Sequence, residues 1–224
     1  MFSVRAAYFI AAVGLAASGD AAARSRCPLP DTRAEAELKI DLGRIKLVHR
    51  HNRKHLARLQ KKNKQFRGGG DWQPVGLTQT ELEFRMKVHI NAVSAGAKRY
   101  CGSLDRVEVF LGYDDLIVYI AQKYHRGSCQ YQSILKHENL HVSIFRDTLE
   151  HYAPRVENRL RQTAERLAPV LVSSAQQAAS RLQAAMQRQM KPMFREINAA
   201  LDRANAAIDT PENYKREQAN CKNW

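Results

Sequence analysis

The sequence predicts an α+β fold: a small antiparallel sheet of about three strands, then a helix carrying H-E-x-x-H, then long C-terminal helices. Three observations carry this. Apolar and polar residues alternate over 84–92 and 106–112, no glycine follows Gly127, and Ala, Gln, Arg, Leu and Glu dominate that last stretch. Period-two alternation belongs to strands with one buried face, and the later composition favours helix. Strands first and helices after give α+β rather than an alternating α/β order.

At 224 residues there is room for one domain of ordinary size. Apolar residues make up 44% and charged residues 26%, a soluble globular composition that excludes collagen-like, low-complexity and polytopic membrane classes. The charge is unusual, with 36 Lys and Arg against 22 Asp and Glu, a net +14. Such a surface seeks phosphates, anionic lipid or acidic polymers, but names no fold.

Residues 1–23 have the layout of a signal peptide. Met1 to Arg5 is a short basic start, Ala6 to Ala17 is apolar, and Ala21-Ala22-Ala23 supplies an A-x-A cleavage pattern. The apolar run is shorter than the roughly 20 residues a membrane span needs, and nothing later reaches that length. The expectation is an exported, periplasmic or secreted chain with no transmembrane segment after cleavage.

Residues 24–70 read as a basic N-terminal arm. No acidic residue lies between Asp41 and Asp71, and Arg44 to Arg67 holds ten Lys or Arg plus His49, His51 and His55. Val48, Leu56 and Leu59 fall at roughly helical spacing, so a basic amphipathic helix is expected over Ile45 to Phe66. Residues 44–67 could meet an anionic envelope surface. Phe66 and Trp72 are the only aromatics nearby, too few to stack on bases, so no specific nucleic-acid partner is expected. Gly68-Gly69-Gly70 then separates the arm from the domain expected over 71–224.

Within that domain, Phe84, Met86, Val88, Ile90 and Ala92 share one face of a first strand. Val107, Val109 and Leu111 mark a second over 106–112, Asp114-Asp115 reads as a turn rather than a carboxylate pair, and Leu116 to Ala121 is a third. Helices are expected over 130–152, 155–190 with a kink, and 194–208, with breaks near Pro154, Pro169, Pro192 and Pro211.

Cys27, Cys101, Cys129 and Cys221 show no C-x-x-C spacing. An even number in an exported chain implies two disulfides. Three pairings are open, and the expected one is Cys101–Cys129, stapling one segment, with Cys27–Cys221 tying the ends together.

The chemistry stands at the start of the helical half. His137, Glu138 and His141 form H-E-x-x-H. Four residues make just over one helical turn, so both imidazoles leave the same face and can bind one zinc ion. Glu138 stands beside them, where its carboxylate can take a proton from a water that zinc has acidified. Gly-x-Ser-x-Gly, P-loop and G-x-G-x-x-G patterns are absent.

With sheet before helix, this order resembles the zincin metallopeptidases. The string His137-Glu138-Asn139-Leu140-His141-Val142-Ser143-Ile144, the export signal and the bracketing cysteines are similar to an uncharacterised bacterial group of predicted secreted zinc-dependent proteases. The resemblance covers about residues 84–150 and implies a zinc cofactor, a polypeptide substrate and pairing of that substrate with the strand before the helix. Ile144 and Asp147 stand where the metzincin extension has Gly and His, so that clan is not implied. The alternative function is a non-catalytic, basic envelope-binding protein on a zincin-like scaffold.

Two histidines leave a catalytic zinc one protein ligand short. Nothing further along one straight helix can reach back, since Glu150 and His151 lie about 14–20 Å down the axis. A turn near Pro154 would bring Glu165 level with His141. A turn around Val170 to Ser174 would instead bring Asp209 to Tyr214 beside His137, offering Glu212 as third ligand and the Tyr214 hydroxyl as oxyanion donor. Glu212 is preferred to Glu165.

Overall fold

The fold is that of a computed structural model, which describes residues 27–63 and 74–224. The expected signal peptide and the glycine run at 68–70 lie outside the described residues. In chain order the elements are β1 (Glu35–Asp41), β2 (Arg44–Val48), α1 (Arg53–Asn63), β3 (Gly76–Gln79), β4 (Glu83–Ser94), β5 (Tyr100–Gly112), β6 (Asp115–Ile120), α2 (Cys129–Arg166), β7 (Val170–Val172), α3 (Ala175–Ile208) and α4 (Pro211–Ala219). The chain is α+β as expected, and none of the described helices is long and apolar enough to cross a membrane.

Two compact units form, each from three separated stretches. The first takes residues 27–41, Glu83–Gly112 and Tyr152–Glu196. Its sheet is centred on β5, with β4 antiparallel to it, β1 parallel to its later half and β7 antiparallel to its first residues. Met86, Val107, Val109 and Leu111 are buried on one face. The helices answer with stripes at every fourth residue: Val156, Leu160 and Ala164 on α2, and Ala178, Leu182, Met186 and Met190 on α3. That spacing places an apolar seam along one helix face, and each fully buried Leu or Met contributes about 1.5–3 kcal/mol.

The second unit takes Leu42–Leu82, Tyr113–His151 and Ile197–Trp224. Its sheet is centred on β6, with β2 parallel and β3 antiparallel. Leu56 of α1 is fully buried in a cluster with Ile120, Ala121, Tyr124, Tyr131 and Ile134.

Several expectations are corrected. The strands do not make one antiparallel sheet: β5 and β6 belong to different, mixed sheets. The chain does turn at Asp114, between β5 and β6, but Asp115 already belongs to β6, which pairs with β2 rather than β5; Arg44 N donates to Asp114 O and the Asp115 carboxylate takes Arg44 and Lys46. The basic helix begins at Arg53 rather than Ile45. Asn52 caps it, its side chain accepting from His55 N at 2.9 Å, and 44–48 is strand.

Pro154 and Pro192 lie inside continuous helices. Buried Tyr152 and Val156 hold the chain on either side of Pro154, so packing outweighs the lost backbone hydrogen bond. The antiparallel return that would bring Glu165 level with His141 therefore does not form; α2 ends at Arg166, before Pro169. The disulfides are Cys27–Cys101 and Cys129–Cys221, one inside each unit, not the pairs expected. Pairing follows which strand and helix ends meet, which cysteine spacing does not encode. Two disulfides suit an oxidising compartment.

Close packing of β5 on α3 is tightest at Gly102, where an added Cβ would lie 2.3 Å from the Ala178 Cβ. A methyl on a helix backbone cannot swing aside. Gly102→Ala should destabilise the protein by about 1–3 kcal/mol, read as a lowered urea midpoint with unchanged slope; an unchanged midpoint would show that this contact relaxes freely.

Candidate metal centre

The centre belongs to the second unit and starts with a helix cap. Gly127, at φ +86°, turns the chain, and Ser128 accepts from Tyr131 N at 3.1 Å to open α2. Ile134 and Val142 anchor the helix in the core, which leaves His137 and His141 buried on an adjoining face. Their rings lie 5.0 Å apart, edge to face.

The chain comes back after β7, along α3, to Asp209. This is the second of the two expected routes. Asp209 Oδ1 lies 3.1 Å from His137 Nε2 and 3.2 Å from His141 Nε2. One ligand atom from each of the three lies within 4.8 Å of the others, the group among the described residues that could hold a metal ion. Glu212, the expected third ligand, is outside this group. It is exposed in the first turn of α4, and the carboxylate beside the imidazoles comes three residues earlier. Glu165, the lesser candidate, is exposed near the end of α2.

Each imidazole is held from behind. His137 Nδ1 meets Glu217 Oε1 at 3.1 Å, and His141 Nδ1 meets Asn205 Oδ1 at 2.6 Å. Asn205 Nδ2 donates to Leu201 O, so its oxygen faces the histidine, and His141 must donate from Nδ1. Both Nε2 atoms thus face Asp209. A metal-binding histidine has this arrangement, with the far nitrogen donating to a carboxylate or carbonyl that fixes ring and tautomer.

Asp209 is fixed by the helix junction that carries it. Its N–H donates to Asn205 O, closing α3. Thr210 caps α4 by accepting from Asn213 N, Pro211 fills the first turn, and the Asn213 amide donates to Ala207 O and Ile208 O. Tyr214, expected as an oxyanion donor, donates its hydroxyl to Asp209 Oδ1. The whole α4 segment is bound to the start of α2 by Cys129–Cys221 and by Gln130 donating to Lys222 O at 2.7 Å.

Glu138, the expected base, points the other way, towards β3. Thr78 Oγ1 donates to Glu138 Oε2 at 2.8 Å. Gly76 leaves the necessary room, since a Cβ there would lie 2.3 Å from Glu138 Oε1. Sequence reasoning missed Thr78, Gly76, Asn205 and Glu217, none of which stands in a motif.

Charge follows from burial and neighbours. Burial opposes protonation of His137, but the Asp209 hydrogen bond, with Glu138 and Glu217 nearby, outweighs it and raises the pKa to about 9. For His141 too, burial is outweighed by Asp209 and Glu138, and the pKa rises. Burial of Asp209 is in turn outweighed by hydrogen bonds from His137 and His141, which hold its carboxyl below the usual range. Burial raises the Glu138 pKa against the pull of His141, His137 and Thr78.

The sign of the pH effect follows. His137 is protonated at pH 7 without metal, and a metal needs its Nε2 lone pair, so binding releases a proton. Affinity for zinc should rise with pH up to about 9, and calorimetry at pH 7 in buffers of different ionisation enthalpy should show one or more protons released. Asp209→Ala should weaken zinc binding by more than Glu217→Ala, itself worth about 10–100-fold, while Glu212→Ala leaves it unchanged. A larger loss from Glu212→Ala would restore that residue as the ligand. No family model, curated protein or solved structure matches this chain.

Proposed function

We propose that the protein is an exported, zinc-dependent peptidase of zincin-like character, with Glu138 as general base. The observation that carries this reading is the convergence of His137 Nε2, His141 Nε2 and Asp209 Oδ1 within 4.8 Å, each histidine backed at Nδ1. Two nitrogens and one oxygen from three side chains is a catalytic rather than a structural zinc set, because it leaves a position for water or substrate. Zinc held there supplies a Lewis acid and lowers the pKa of water towards about 7.

The chain's own residues do the rest. Glu138 takes the proton of the attacking water and passes it to the departing amine, so the peptide C–N bond breaks as the new C–O bond forms. Its buried setting excludes competing solvent, and Thr78 keeps one oxygen occupied while the other is free to move a proton. Tyr214 keeps its proton at neutral pH, since burial and the Asp209 charge raise its pKa, and it donates that proton to Asp209 Oδ1, so its part is to hold the carboxylate in place rather than to serve as the oxyanion donor. β3 carries Thr78 and pairs with β6 on one side; among the described residues no strand pairs with its other edge. An extended substrate adding there would bring its backbone past Glu138.

The envelope-binding reading keeps one observation in its favour: Ile45 and Leu47 of β2 are 47% and 41% exposed in the most basic stretch of the chain. Removing 44–67 cannot test it, because Leu56 of α1 is a core residue. Reversing Lys54, Arg58, Lys61 and Lys62 can.

Glu138→Gln should keep one zinc per chain and lower peptide hydrolysis by about 10²–10⁴-fold, whereas His137→Ala should lose the zinc. Hydrolysis undiminished in Glu138→Gln, or no zinc in the wild-type protein, would sink the peptidase. Full hydrolysis with loss of anionic-vesicle binding in the four-lysine/arginine reversal would exclude the non-catalytic reading and assign surface binding to the basic face of a peptidase.

A further inference from the structure

Beside the metal centre, α2, the end of α3 and α4 enclose a cleft lined by Lys136, Leu140, Ile208, Asn213, Arg216 and Glu217. Five of its wall residues are chain neighbours of residues in the centre. Lys136 precedes His137, Leu140 precedes His141, Ile208 precedes Asp209, and Asn213 precedes Tyr214. Arg216 precedes Glu217, which itself reaches His137 Nδ1. Whatever fills the cleft therefore touches the same backbone that holds the ligands.

Its chemistry is specific. Leu140 is 42% exposed, one of the few large apolar side chains left so open, and Ile208 adds a second aliphatic surface. Lys136 and Arg216 are exposed cations. Only one carboxylate lines the cleft, and it is taken up by His137. Asn213 Oδ1 is likewise occupied, by the Arg216 guanidinium. Ser133 and Asn220 complete the lining, with the Ser133 hydroxyl donating to Glu217 O. The charged and apolar groups that face a ligand are two cations and two aliphatic side chains, beside the neutral Asn220 amide. That combination complements an aliphatic residue with a carboxylate beside it, and it repels lysine or arginine at the same place.

We infer that this cleft is a specificity site which selects polypeptide segments carrying an aliphatic residue next to Asp or Glu. The inference rests on the peptidase reading and names its substrate class. A free carboxylate at a peptide C-terminus and an acidic side chain share the chemistry, so amidated and free-acid peptides separate the two sources.

The test uses the full mature chain as Glu138→Gln, loaded with zinc and checked for metal content, so that binding is read without cleavage. Fluorescent hexapeptides containing Glu-Leu, Lys-Leu or Glu-Ser, each as free acid and amide, are titrated by anisotropy. Glu-Leu peptides should bind about five- to tenfold more tightly than Lys-Leu peptides, with the preference fading in high salt. Lys136→Glu with Arg216→Glu should invert that order, and Leu140→Asp should weaken Glu-Leu binding about tenfold, all at unchanged zinc content. Preference kept in the amides assigns it to the acidic side chain; preference lost in the amides assigns it to the terminal carboxylate and overturns the side-chain form stated here. Equal binding of Glu-Leu and Lys-Leu peptides overturns the cleft outright and needs none of the cleft variants. Selective binding without hydrolysis by the wild type would instead leave the cleft standing and remove the peptidase.

Discussion

One carboxylate oxygen organises the centre. Asp209 Oδ1 receives both Nε2 atoms, 3.1 and 3.2 Å away, and the Tyr214 hydroxyl as well. Two imidazoles on one helix face cannot choose a common direction by themselves. They do so because an acceptor arrives opposite them and because Glu217 and Asn205 occupy their other nitrogens. The last turn of α3 carries Asn205 and runs directly into Asp209, so one helix end supplies a candidate ligand and also orients another. The cluster is buried and charged, a setting in which losing one partner leaves an uncompensated charge and costs more than the pair itself contributes.

Glu138 and His137 are neighbours in sequence but are held by different parts of the unit. Successive helical residues point about 100° apart, so the Glu138 carboxylate meets β3 while the imidazole faces the α3–α4 junction. Thr78 and Gly76 act on the base without touching the histidines. Asn213, Thr210 and the Cys129–Cys221 bridge act on the ligand side without touching the base. A base and a metal set built on separate supports can be tuned separately, and the side towards the junction is where the cleft walls also lie.

The legible parts of this structure are those written locally. The alternation of Phe84 to Ala92 gives β4, and the histidine spacing gives the ligand pair. Ala36, Leu38 and Ile40 alternate as cleanly within β1, and the basic character of the following stretch hid both β1 and β2. Partner choice was not legible: β5 and β6 each alternate well, yet each pairs in parallel with a strand some seventy residues earlier in the chain. Nor could proline spacing tell a broken helix from a bent one, because buried neighbours decide that. The return of the chain to Asp209–Tyr214 was one of two routes that helix lengths left open, the other being a turn near Pro154. Which of its carboxylates faces inward depends on where α3 ends, and helix ends are uncertain by a turn in any sequence reading. Asp209 and Glu212 differ by about that much. Asn205 and Glu217 had no local signature, since an Asn within an alanine-rich helix and a Glu beside an Arg look like solvated residues.

Charge explains why such a cluster persists in a chain with a net charge of +14. Glu138, Asp209 and Glu217 surround only two imidazoles, so the buried neighbourhood is acidic while the surface is basic. With neutral histidines the Asp209 and Glu217 carboxylates would face no cation there, a costly state for a partly buried site. Two routes relieve it. Protons on His137 and His141 do so without metal, which is why both are held more basic than an ordinary histidine. A divalent cation does so with one ion in place of two protons, and it keeps the Nε2 lone pairs engaged. The same imbalance that raises the histidine pKa values is thus what would draw a cation in, and metal and protons compete for one electrostatic deficit.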